Sequence, residues 1–175
     1  KRQQLYHAYK DLNQNQNPNS ALMKCVLLNS ANDIGNPGPD FKNGWGEVNA
    51  FQALEILEDK NYFSNSILQG LVNTHDINVP SGVKEMNVMI YWHDKEASAN
   101  ASTALVNDLN MTLSDPNSNV FYPWLLNPTP NANILNQNAI TGIDDLNNME
   151  QITLLNPSPG TYTLSIDGFS IPFGL

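Results

Sequence analysis

Long apolar runs are missing from this sequence. No stretch approaches the ~18 consecutive apolar residues that a membrane-spanning helix needs, which argues against a membrane partner. Basic residues are scarce: 8 Lys and Arg stand against 17 Asp and Glu, a formal charge of -9. Nucleic acids and anionic membrane surfaces demand clustered Lys and Arg, so neither is an expected partner. Cysteine is nearly absent. The single thiol, Cys25 in LMKCVLL, cannot form an internal disulfide and reads as a small buried hydrophobe. Nothing near it in sequence would lower its pKa and make it a nucleophile.

Charge of either sign is sparse, at 14% of residues. Asparagine is abundant instead, so solubility rests on amides and hydroxyls, a surface common among secreted proteins. No initiator methionine, signal peptide or basic leader stands at Lys1. The opening KRQQLYHAYKDL is already in helical register at Leu5, Ala8, Tyr9 and Leu12 with no N-cap residue before it, as expected of a chain cut from something longer. At 175 residues there is material for one domain, or for one domain plus a fragment of another. No internal repeat of fixed period is evident.

The patterning divides the chain in two, with expected boundaries at 1–60 and 61–175. Residues 1–60 read as three helices. The first runs to about Asn13 and is broken by NQNQNPN. Asn19 or Ser20 can cap the second, SALMKCVLLNSA. The loop IGNPGPDFKNG is dense in turn formers, and a third helix follows from Glu47. Its apolar residues Val48, Phe51, Leu54 and Leu57, with Ala50, Ala53 and Ile56 beside them, have the spacing of a one-sided helix. In Gly44-Trp45-Gly46 the glycines open backbone angles closed to other residues, and the indole between them needs a cover. Three short helices have too little mass to bury all of these faces among themselves.

From about Asn61 the period changes to two. MNVMIYWHD aligns Met86, Val88, Ile90 and Trp92; DLNMTLSD aligns Leu109, Met111 and Leu113; GTYTLSIDG aligns Tyr162, Leu164 and Ile166. Between them DPNSN, LNPTPN and NPSPG supply turn residues. Short alternating strands without intervening helices predict an antiparallel β-sandwich of jelly-roll type, and the chain as a whole is expected to be α+β.

Catalytic constellations are not found. Nucleophilic hydrolysis needs a serine or cysteine beside an oriented base, and His7, His75 and His93 lie in three separate contexts. No nucleophile elbow, paired zinc histidines or phosphate-cradling glycine loop is present. Acidic and amide clusters do occur, at HDKE, LVNDLN and GIDDLNNMEQI. Calcium takes six to eight oxygens of such groups, although no EF-hand spacing is present. The same residues, Asn107, Asp108, Asn147 and Asn148, can instead hold loop backbones. Phe121, Tyr122 and Trp124 in NVFYPWLL suggest an aromatic platform for an alternative function, a free-standing module that binds a glycan or a protein.

The stretch SALMKCVLLNSANDIGNPGPDFKNGWGEVNAFQALEIL resembles the segment that follows the catalytic serine in subtilisin-like serine proteases. Gly44, Gly46, Val48, Asn49 and Ala50 match that family's Gly-x-Gly-x-[IV]-N-A turn, which opens the last helix of its catalytic domain. WHDKEASANASTALVNDLNMTL, DDLNNMEQI and PSPGTYTLSIDGFSIPFG are similar to the β-domain that follows the protease domain in a subset of secreted bacterial members. The resemblance implies that residues 1–60 are the end of an α/β catalytic domain, with the rest of that domain as partner, and that residues 61–175 stabilise the protease or help present its protein or peptide substrates. It implies a secreted serine endopeptidase as parent. The family's Gly-Thr-Ser nucleophile motif has no match here, so no catalytic residue is assigned and the chain alone is expected to be inactive. Structural calcium is a further implication, with Asp94, Asp108, Asp144 and Glu150 as its expected ligands.

Overall fold

The computed structural model describes residues 2–174; the expected uncapped start at Lys1 lies outside them. The chain is mixed α+β, with antiparallel sheets, and separates into two compact units. The first comprises residues 1–65 and 126–139, the second 66–125 and 140–175. The structural division thus falls at 65/66 and assigns an internal segment of the later chain to the helical unit.

In the helical unit, α1 spans Arg2–Leu12, α2 Ser20–Asn29 and α3 Ala50–Glu58, with a short α4 at Ala132–Leu135. Asn19 caps α2 by accepting a hydrogen bond from the Ala21 amide at 2.9 Å. The three longer helices share a small core of Leu5, Leu22, Met23, Val26, Ala53 and Leu57, with Tyr9, Leu54, Ile56 and Tyr62 against it. The inward face of α3 is therefore Ala53, Leu54, Ile56 and Leu57. Val48 precedes the helix and is 44% exposed, while Phe51 points outward at 72% exposure. The expected stripe through Val48 and Phe51 is thus not the buried one. The segment 132–138 is tied into this unit where the Asn36 side-chain Nδ2 donates to the Asn136 and Gln137 carbonyls, at 3.1 and 3.3 Å.

The second unit carries the sheets. Strands are β1 Val72–Val79, β2 Glu85–Tyr91, β3 Asp108–Ser114, β4 Val120–Phe121, β5 Trp124–Leu125, β6 Ile140–Thr141, β7 Met149–Leu155 and β8 Gly160–Ser170. One sheet has the order β1-β8-β3-β4; β2 pairs with β7 and β5 with β6. All pairings are antiparallel. Period-two alternation sets the inward faces: Leu109, Met111 and Leu113 from β3, and Tyr162 and Leu164 from β8, are buried. All of these but Leu109 form one core with Val79 and Ile152, against which Met86, Val88 and Ile90 of β2 pack. A second core gathers Ile67, Trp92, Leu109 and Ile171. Trp92 is fixed there because its indole N–H donates to the Asn107 carbonyl at 2.9 Å.

Along one edge, β3 is covered by backbone for only part of its length. β4 pairs with it at Leu113 and Ser114 and no further. Extending that ladder would set Pro123 opposite Met111, but Pro has no N–H to give, and the Pro123 carbonyl already accepts from Gly142 at 2.9 Å. The Met111 amide donates instead to a side chain, Glu150 Oε2, at 2.8 Å.

Candidate functional site

Two features rise above ordinary packing: the turn that launches α3 and a group of acidic side chains in the β unit. The turn is built around Asp40. Its Oδ1 accepts from the Lys42 and Asn43 amides at 2.7 and 2.6 Å, and its Oδ2 from the Asn36 amide and the Asn43 side chain at 3.2 and 3.1 Å. The bonds from Asn43, helped by those from Lys42 and Asn36, pull the Asp40 pKa down to about 2. Gly44 has φ 63° and Gly46 φ 106°. A Cβ on Gly46 would fall on the Asn32 carbonyl, which accepts the Glu47 amide at 2.9 Å while the Asn32 amide donates back to Glu47 O at 2.8 Å. Glycine at 46 is thus required by both angle and space. Asn49 then caps α3, accepting from the Gln52 amide at 3.0 Å, and its own amide group donates to Asn32 Oδ1 at 2.9 Å. Trp45 is only half-buried, and Phe41 is 48% exposed.

The four expected calcium ligands separate into two kinds. Asp94 is spent on backbone: Oδ1 accepts from the Lys95 and Asn107 amides, both at 2.8 Å, and Oδ2 from the Val106 amide at 2.7 Å. Asp144, buried, accepts from the Leu146 and Asn147 amides at 2.9 and 3.3 Å and from the Asn147 side chain at 2.7 Å. Both hold loop backbone, the role that the sequence suggested for Asn107, Asp108, Asn147 and Asn148. Asn107 and Asn148 hold backbone too, the first accepting from the Phe173 amide at 3.2 Å and the second donating to the Trp92 carbonyl at 2.8 Å.

Glu150 and Asp108 differ. Glu150 is 1% exposed; Oε2 accepts from Met111, but buried Oε1 has no hydrogen-bond partner. Burial pushes its pKa up to about 9, the Met111 bond opposes the rise, and the charges of Asp144, Asp108 and Asp145 reinforce it. Asp108 Oδ1 is likewise buried and unpartnered, and burial together with Asp145, Asp144 and Asp94 raises its pKa to about 6. Asn110, two residues along the same face of β3, has an unpartnered buried Oδ1 as well. Among the described residues no three His, Cys, Asp or Glu side chains are arranged to hold a metal ion. A cation in this region would therefore need amide oxygen as well as carboxylate, and the oxygens without a donor are at Asp108, Asn110 and Glu150, not at Asp94 or Asp144. Asn110 is not among the residues expected from the sequence; its position two residues beyond Asp108 in a strand is the available signal.

The remaining candidates are structural. His93 is exposed and pairs edge-on with Tyr91, whose hydroxyl lies 3.4 Å from Nδ1. Cys25 is half-buried, and burial lifts its thiol to about 12, far from a reactive thiolate. Of the aromatic platform, Phe121 packs against the sheet core and the Trp124 indole donates to Thr153 Oγ1 at 3.0 Å, leaving Tyr122 as the exposed ring at 43%. No helix among the described residues is long and apolar enough to cross a membrane. No known family model matches the chain, and no curated protein matches it.

Proposed function

We propose that this chain is the C-terminal part of a secreted subtilisin-like serine endopeptidase, in which the helical unit closes the catalytic domain and the β unit is an accessory β-sandwich of jelly-roll type. The observation that carries the reading is the segment from Asp40 to Phe51. Its turn is specified in unusual detail, by a four-bond aspartate, a glycine that tolerates no Cβ and a double-duty asparagine cap. Yet the apolar side chains it delivers, Phe41, Val48 and Phe51, are left 48, 44 and 72% exposed. A protein that spends so many interactions on aiming apolar side chains outward has a surface for them to meet. The resemblance of GWGEVNA to the subtilisin-like turn names that surface as the remainder of a protease body.

The parent's serine, histidine, aspartate and oxyanion donor belong to that remainder. This chain by itself has no path through an acyl-enzyme. Its contribution is mechanical: α3 and its turn complete the packing of the catalytic domain, and the β unit stabilises the protease or helps present substrate. A serine-directed phosphonate probe tests the reading. It is expected to label the complete gene product and to leave this chain unlabelled; a labelled chain, or an unreactive complete product, overturns it.

A further inference from the structure

Independently of any protease parent, the β unit holds a cavity on the face of its larger sheet that looks away from the core. Strand register sets Val72 of β1, Asp167 of β8 and Asn110 of β3 in one row across that face, because Asp167 pairs with both of the others. Tyr122, Ile143 and Glu150 supply further walls, and together with the row they line a space of about 310 Å³. Two oxygens of these walls lack donors. Glu150 Oε1 and Asn110 Oδ1 are both buried and without a hydrogen-bond partner. The pairing explains the first: β4 pairs no further along β3 than Leu113, so Glu150 spends Oε2 on the Met111 amide and has Oε1 left over. A polar atom kept dry and unpaired is costly unless something else donates to it.

Size, charge and wall chemistry narrow what that donor is. At ~30 Å³ per water the space matches about ten waters, so a small organic group fits it and a bare ion fills little of it. The side chains whose charges act on Glu150 are Asp144, Asp108 and Asp145, all negative. Burial, reinforced by them, keeps the Glu150 pKa up at about 9, and a cation set against Oε1 takes the place of the proton, which leaves to solvent. Val72, Tyr122 and Ile143 are exposed apolar side chains, so the same cavity also offers a greasy and partly aromatic wall. The matching ligand is cationic, rich in N–H donors and carried on an apolar stem. A guanidinium has five donors in a planar fork, is weakly hydrated and stacks on aromatic rings, whereas an ammonium is compact and strongly hydrated.

We propose that this cavity binds a guanidinium group on a short alkyl stem, which donates to Glu150 Oε1 and Asn110 Oδ1 beside the acidic side chain of Asp167 while its stem lies against Val72, Tyr122 and Ile143. The Tyr122 ring adds a cation–π face. Such a group reaches the cavity either as a free small cation or as an arginine side chain of a polypeptide.

Titration calorimetry on the whole chain tests the site, with n-butylguanidinium as ligand and N-butylurea as its uncharged shape match. The expected result is saturable binding of one n-butylguanidinium per chain, with N-butylurea at least about tenfold weaker. Glu150→Gln and Asp167→Asn, which remove charge while keeping size, are each expected to weaken n-butylguanidinium by about tenfold or more. Glu150→Gln retains an acceptor for Met111, and its circular dichroism reports whether it folds; if it does not, Asp167→Asn on the outer face of the sheet decides the question. Arginine capped as its N-acetyl methylamide separates the two sources: binding as tight as that of n-butylguanidinium assigns the cavity to a polypeptide side chain, and its exclusion to a free cation. Absence of n-butylguanidinium binding, equal binding of N-butylurea, or an affinity unchanged in the folded variants overturns the proposal.

Discussion

At the scale of single residues, Asp40 and Gly46 decide whether the turn before α3 exists. Asp40 has a folded-state pKa of about 2, below the ~3.9 of an unfolded chain, so it contributes stability above the unfolded value, and that contribution is lost as pH falls through about 2. Asp40→Asn is therefore expected to melt below the wild type at about pH 6, with the gap closing as the pH approaches 2. Thermal scans across that range check it. Gly46→Ala faces a positive φ and a carbonyl in the place of its methyl; strain of this kind costs about 1–3 kcal/mol. Gly82→Ala, also at positive φ but with open space around it, is expected to cost less, about 1 kcal/mol. Denaturant midpoints of the two variants give the comparison, and equal losses would remove the special role of Gly46.

Between elements, the cap and buried face of α3 are separable. Asn49→Ala removes the acceptor for the Gln52 amide and the donor to Asn32, an expected loss of about 0.5–2 kcal/mol. Leu57→Ala opens a cavity in the small helical core, where Leu57 is buried against Ala53 and Leu5, at about 2–5 kcal/mol. Urea unfolding followed by helical circular dichroism measures both. The elements also show what periodicity can and cannot reveal. β3 and β8 are legible because Leu109 to Leu113 and Tyr162 to Ile166 alternate, and β2 because Met86, Val88 and Ile90 recur at every second position, although its burial does not alternate. β1 is not, because its inward positions Asn73 and His75 are polar and only Ile77 and Val79 carry the signal. β7 is hidden by buried Glu150 and Gln151 and reads as part of an acidic loop, although Glu150, Ile152 and Leu154 alternate. The site is half legible for the same reason. Oxygen chemistry singles out Asp108 and Glu150, but composition cannot tell a carboxylate that lines a cavity, as Glu150 does, from one that, like Asp94 or Asp144, holds loop amides. That distinction depends on strand ends and on the early stop of β4 at Pro123, which are facts of pairing and not of local sequence.

For the molecule as a whole, two features stand together: a net charge of -9, with carboxylates gathered in the β unit, and a helical unit whose launching turn sends aromatic side chains outward. The second points to a covering body.

The covering body is tested most directly at Phe51, whose ring is 72% exposed in this chain. The measurement is the change in unfolding free energy for Phe51→Ala, made once in the chain alone and once in the complete gene product. A surface substitution alters stability by no more than about 0.5 kcal/mol, and that is the expected result in the chain alone. In the complete product the loss is expected to reach the ~3–5 kcal/mol of a buried phenylalanine. Equal, small changes in both would mean that Phe51 faces solvent in either form, and would contradict the account.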